Sequence, residues 1–279
     1  MNVILRISLA VSFLIFGFNR CRPVAADVVV PVEPIEYTAG HADIAVVYEG
    51  GQLGLQWSFG GDAILDGVQT GQNVTMGSRA AYVRAADDGF PTTRSDFESF
   101  PAGFGFTGLT PGEPGSIWIL PQGNTAGLPF LGLNTEDFLV PSDWSGGIEW
   151  AMTAAKMPAG GDFSVWQTDG FGAPMVMLAT ADGIDENDRF TMGLGGHDHA
   201  NWGFTKEGVY DITFEVSGNH VSDGLQTGSA SFLFVVGSAT AVPEAGTVTL
   251  LALGSLGLIV GGWHQRRRRS VAKGEAVAA

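Results

Sequence analysis

Residues 42–59, ADIAVVYEGGQLGLQWSF, decide the fold class. Two apolar-rich runs, Ala42 to Tyr48 and Gln52 to Phe59, flank Glu49-Gly50-Gly51. In the second run Leu53, Leu55, Trp57 and Phe59 recur at every other position, the period of a strand with one buried face. Two such runs joined through Gly-Gly predict a β-hairpin, because a tight hairpin turn needs positive φ values that glycine adopts without strain.

The same kind of run recurs along the chain. It is found at Ala81 to Arg84, Ser116 to Leu120, Ile148 to Thr153, Phe163 to Thr168, Pro174 to Thr180, Phe190 to Leu194, Val209 to Val216 and Ser229 to Val236. Turn residues separate these runs, and no long apolar pattern at helical period intervenes. The expectation is one all-β domain over residues 27–239, an antiparallel β-sandwich, Ig-like or jelly-roll-like. Two interruptions are expected. Asp87 to Gly115 is Gly/Pro-rich and holds Phe90, Phe97, Phe100, Phe104 and Phe106, which predicts an insertion packed on the sandwich edge. A short helix is predicted around Thr135 to Val140.

Charge narrows the function. Between Asp27 and Val242 only Arg79, Arg84, Arg94, Lys156, Arg189 and Lys206 are basic, six residues against 27 acidic ones. Nucleic-acid binding is excluded as a reading, because phosphate needs clustered cations. An acidic surface favours solubility and draws cations. The single cysteine, Cys21, precedes the domain, so no disulfide is expected within it.

Both ends read as addresses. Residues 1–26 predict a signal peptide: Arg6, the apolar run Ile7 to Phe18, then Val24-Ala25-Ala26 before Asp27. Near the other end, Val242-Pro243-Glu244 precedes Ala245 to Trp263, 19 residues without charge, followed by Arg266-Arg267-Arg268-Arg269. A helix of that length spans about 28 Å, close to a bilayer core. The arginines predict a cytoplasmic end, with everything before the span outside. Residues 271–279 form the expected tail.

The chemistry-bearing strings are Gly40-His41-Ala42-Asp43 and Gly196-His197-Asp198-His199-Ala200-Asn201-Trp202-Gly203-Phe204. On a strand, residues two apart share a face. His41 and Asp43 therefore project together, as do His197 and His199. Neighbouring first and late strands would let the pairs meet as three imidazoles and a carboxylate, a zinc-type ligand set. The other reading is a group of partly buried histidines bonded to backbone, Asp198 or Asn201. His220 reads as an isolated loop residue. The acidic string Asp182 to Asp188 is either a calcium-binding or a solvated turn; it lacks the spacing of a calcium loop. Trp57, Trp118 and Trp150 lie in apolar strand patterns and are assigned to the core. The domain has no nucleophile elbow, His-Glu-x-x-His helix or phosphate loop, so an enzyme is not expected.

Two resemblances join these residues. Val242-Pro243-Glu244, the uncharged span and Arg266 to Arg269, together residues 240–270, resemble the PEP-CTERM sorting signal. That resemblance implies processing by an exosortase-type enzyme. His41 with Asp43, Gly51 to Leu55, Phe130-Leu131-Gly132-Leu133-Asn134-Thr135-Glu136, His197 to Phe204, then Gly208 and Tyr210 resemble the choice-of-anchor M domain of bacterial surface proteins. The expected function is a non-catalytic cell-surface or extracellular-matrix protein, held by its C-terminus in the membrane before processing. It would carry a divalent metal, zinc, on His41, Asp43, His197 and His199. The alternative is a carbohydrate-binding or carbohydrate-processing β-sandwich, with cell-surface polysaccharide or matrix as partner.

Overall fold

The computed structural model describes residues 33–86, 101–107 and 117–240. The predicted signal peptide, Val242, Pro243, Glu244, the span 245–263, Arg266 to Arg269 and the tail lie outside the described residues. One compact unit starts at Pro34. Its described residues are all-β, with sixteen strands among them. The first six are β1 (Ile35–Glu49), β2 (Gln52–Phe59), β3 (Ile64–Leu65), β4 (Val68–Gln69), β5 (Val74–Gly77) and β6 (Ala81–Ala85). Then come β7 (Trp118–Leu120), β8 (Pro129–Asn134), β9 (Trp144–Lys156), β10 (Phe163–Thr168) and β11 (Pro174–Ala179). The last are β12 (Arg189–Met192), β13 (His197–His199), β14 (Asn201–Phe204), β15 (Gly208–His220) and β16 (Gly224–Val236).

The deciding hairpin forms as its sequence predicts. β1 and β2 pair antiparallel from Ala42↔Phe59 to Glu49↔Gln52. Gly50 and Gly51 close the turn with φ of 59° and 79°, the two positive values a tight hairpin requires. Leu53, Leu55, Trp57 and Phe59 all point into the core.

Twelve strands form one sheet, whose main path runs β12-β9-β15-β16-β6-β1-β2-β5, with β3, β4, β8 and β13 attached through β1. The other four form a second sheet, β11-β10-β14-β7. The sheets share a core of aromatic rings. Phe163 and Trp202 of the smaller sheet lie 6.0 and 5.7 Å from the Phe234 ring of β16. Trp57 meets Phe232 edge-on at 4.8 Å. Burying such rings supplies the largest apolar contribution to the fold.

The ladders are not all antiparallel. β1 runs parallel to both β6 and β8, and β6 runs parallel to β16. The purely antiparallel expectation is corrected on this point. For β8 and β6 the cause is β1 itself, which changes partners about Gly40 (φ 82°) and serves two sets of neighbours. Its first part pairs with β6, and its second part lies between β2 and β8. A parallel pair needs a long crossover, and strands β2 to β5 provide it between β1 and β6.

Two further expectations meet the structure differently. No helix spans residues 135–140. The Thr135 amide instead donates to Gly196 O at 2.9 Å and its hydroxyl to Gly193 O at 2.7 Å. These bonds tie the segment to a distant loop, and only a 3-10 turn, Pro141–Asp143, follows. Of the predicted insertion, only residues 101–107 are described. There Phe104 and Phe106 pack edge-on against Trp166 at 5.7 and 5.8 Å. Among the described residues, no helix is long and apolar enough to cross a membrane.

Candidate metal centre

Three strands build the site. β8 lies between β1 and β13, parallel to the first and antiparallel to the second. Across them Asp43 is opposite Gly132, which is opposite His199. His41 is opposite Phe130, and His197 opposite Asn134. Alternation sends Ala42, Ile44, Leu131 and Leu133 into the core, so the ligand candidates lie on the other face. The first and late strands are therefore not direct neighbours, as the sequence reading supposed. Each is a neighbour of β8, and the pairs meet across it.

His41, Asp43, His197 and His199 come together, each offering one ligand atom, with these atoms all within 4.8 Å of one another. His41 Nε2 is 3.2 Å from His197 Nε2 and 3.4 Å from Asp43 Oδ2. His197 Nε2 is 3.1 Å from Asp43 Oδ1. The three imidazole centroids form a nearly equilateral triangle with sides of 5.2, 5.1 and 5.0 Å. Four ligand atoms at tetrahedral angles around zinc are about 3.3–3.5 Å apart, and the ring centroids behind them about 5.2 Å. The triangle has that size.

The partners of each side chain orient it toward the centre. Glu136 Oε1 is 2.7 Å from His197 Nδ1, which fixes the proton there and leaves Nε2 as a bare lone pair facing inward. Asn134 Nδ2 donates to Asp43 Oδ2 at 3.1 Å and to Asp137 Oδ2 at 3.1 Å. The His199 ring lies flat on Phe130, centroids 3.5 Å apart and planes at 5°. Two buried atoms at the centre have no hydrogen-bond partner: Asp43 Oδ1 and His199 Nδ1. A buried polar atom without a partner is costly, and a cation at the centre would satisfy the carboxylate oxygen and, with the His199 proton on Nε2, the imidazole nitrogen.

Electrostatics agree with this arrangement. Burial pushes the Asp43 carboxyl up. Hydrogen bonds from His41 and Asn134, with the attraction of His41 and His197 when protonated, outweigh it and hold the group below its ordinary value. His41 is raised, first by its bond to Asp43, against burial and with help from Asp62 and Asp137. His199 is lowered to about 4, first by burial and then by the neighbouring imidazoles, which together outweigh Asp43. At neutral pH it is therefore an uncharged imidazole with one free lone pair. Asp43 is 3 % exposed, whereas His41 and His197 are 27 % and 28 % exposed, so the site reaches solvent on the imidazole side.

Sequence reasoning used Phe130, Gly132, Asn134 and Glu136 only as part of a resembling segment and gave them no part in the site. The available signal was Phe130-Leu131-Gly132-Leu133-Asn134, a strand in which Phe130, Gly132 and Asn134 alternate with two leucines.

The remaining candidates fare differently. His220 is not isolated: it ends β15, 3.0 Å from Asp223 Oδ2, with its ring 4.6 Å from that of Tyr48. In the acidic string, the Asp188 oxygens accept from the Ala179 and Asp185 amides at 2.8 and 2.9 Å. That carboxylate is spent on shaping the turn. Trp57, Trp144, Trp150, Trp166 and Trp202 are buried and offer no open face for sugar stacking, while Trp118 is half-buried at the edge of the core. Compared with known protein families, curated proteins and solved structures, the chain matches none.

Proposed function

We propose that this chain is an exported, non-catalytic surface protein whose β domain holds one divalent cation, zinc, on His41, Asp43, His197 and His199. The observation that carries the metal reading is the pair of buried, partnerless atoms, Asp43 Oδ1 and His199 Nδ1, inside an imidazole triangle of tetrahedral size. Four protein ligands make a closed site, which in zinc proteins is structural; catalytic zinc keeps a position for water. The architecture is read as a sandwich of the immunoglobulin or jelly-roll kind. The choice-of-anchor M resemblance supports the surface assignment, and the PEP-CTERM resemblance supports C-terminal sorting by an exosortase-type enzyme.

Elemental analysis of the purified protein tests the metal reading. One equivalent of zinc, retained through dialysis at neutral pH and removed by a chelator, is the expected result. Protein that neither carries nor takes up zinc, cobalt or another divalent ion would leave a hydrogen-bonded histidine cluster in its place.

A further inference from the structure

The ligands come from β1 and β13, but the strand between them decides what fits. We propose that Gly132, which contributes no ligand, is the specificity-determining residue of the site. It keeps open the space into which a small tetrahedral ion draws Asp43 and His199. This inference rests on the metal reading above.

Gly132 occupies the centre of the ligand face. Asp43 lies opposite it on one side and His199 on the other, while Phe130 and Asn134 are its neighbours along β8 on the same face. Each of these surrounding positions carries a side chain; the centre carries none. A Cβ at 132 would fall inside the contact distance of Asp43 Oδ1 and lie 3.0 and 3.1 Å from His199 Cε1 and Nδ1. The atoms it would strike include both of the partnerless ones.

The backbone gives no other reason for glycine here. Gly132 is absent from the positive-φ residues, so an L side chain could adopt its conformation. A glycine inside a strand weakens it and marks a place where something approaches the backbone closely. Leu131 and Leu133 on either side are fully buried β-strand residues, which makes an interior glycine still less expected. The ligand atoms of Asp43 and His199 are what approaches.

The test compares wild type with Gly132→Ala by zinc titration and by the visible spectrum of the cobalt(II) form, which is intense for tetrahedral and weak for octahedral coordination. The alanine variant should lose on the order of 100-fold in zinc affinity and the intense cobalt band. In chelator the variant should still unfold in one cooperative transition, at a temperature lowered by the contact with Asp43, and the loss of zinc affinity should persist well below that transition, which separates a site effect from a general loss of fold. If Gly132→Ala alone does not fold, the Asp43→Ala/Gly132→Ala variant, relieved of the worst clash, is compared with Asp43→Ala. The added methyl should then cost at least about tenfold more affinity through His199. Wild-type uptake matched by equal uptake in the alanine variants overturns the role of Gly132 and leaves the metal reading standing. No uptake by wild type overturns both.

Discussion

Replacing Asp43 with asparagine keeps the shape of the site and removes its charge. Asp43 Oδ2 accepts from Asn134 at 3.1 Å and lies 3.4 Å from His41, while Oδ1 faces His197 at 3.1 Å. A hydrogen bond to a charged group contributes about 1.5–3 kcal/mol. Asp43→Asn should therefore cost roughly 2–3 kcal/mol in metal-free protein. For a domain of this size each kcal/mol shifts Tm by about 2–4 °C, giving a fall of roughly 4–12 °C. The metal adds a second, larger signature. Free zinc at 100 times Kd stabilises by about 2.7 kcal/mol, or roughly 5–11 °C. An amide is a poor ligand, and a 100-fold weaker site at the same zinc concentration gains only about 0.4 kcal/mol, or roughly 1 °C. The assay is thermal unfolding by circular dichroism, in chelator and in excess zinc, with imidazole NMR on the metal-free form. The His41 pKa should fall, because its bond to the carboxylate is the largest effect raising it. A variant that keeps the full zinc-induced rise and an unmoved His41 titration would refute the assignment of Asp43 to the centre.

Other outcomes follow from the same geometry. In chelator, the His199 pKa near 4, lowered by burial, means that the unfolded chain binds a proton first as pH falls. Its contribution is present above about pH 6.5 and lost between there and about 4. Urea unfolding of wild type against His199→Gln should show the difference shrinking across that window, and a constant difference would contradict it. Because the two sheets share one aromatic core, thermal unfolding should be a single transition by near- and far-ultraviolet circular dichroism, and two separated transitions would count against that. Mass spectrometry of protein from producing cells should find a start near Asp27 and no Arg266 to Arg269; retention of both ends would remove the sorting proposal.

The fold class was legible because alternation is local. Leu53, Leu55, Trp57 and Phe59 declare their face within eight residues, and Gly50-Gly51 declares the turn. The parallel ladders were not legible, because nothing local distinguishes a strand that pairs with its successor from one that waits for β6 or β8. Thr135 to Val140 misled for a related reason. The bonds that hold it go to Gly193 and Gly196, some 60 residues away, and long-range partners of that kind leave no trace in a short window.

The site shows the same boundary more sharply. Period two was sufficient to place His41 with Asp43 and His197 with His199, since sharing a face is a property of each strand alone. Bringing the pairs within one coordination sphere requires a neighbour for both strands, and His41 and His197 are 156 residues apart. Had β1 and β13 been adjacent, their strands would lie about 4.8 Å apart and the facing side chains would crowd one another. With β8 between them, the strands are separated by about twice that distance, which suits two imidazole-length side chains reaching inward. The arrangement then works only if the middle strand is short of a side chain where they converge. The histidines drew attention in the sequence because they are rare. Gly132, one glycine among 41, stood out only as part of the segment from Phe130 to Glu136, with nothing to mark that its missing side chain is what lets the histidines and Asp43 converge.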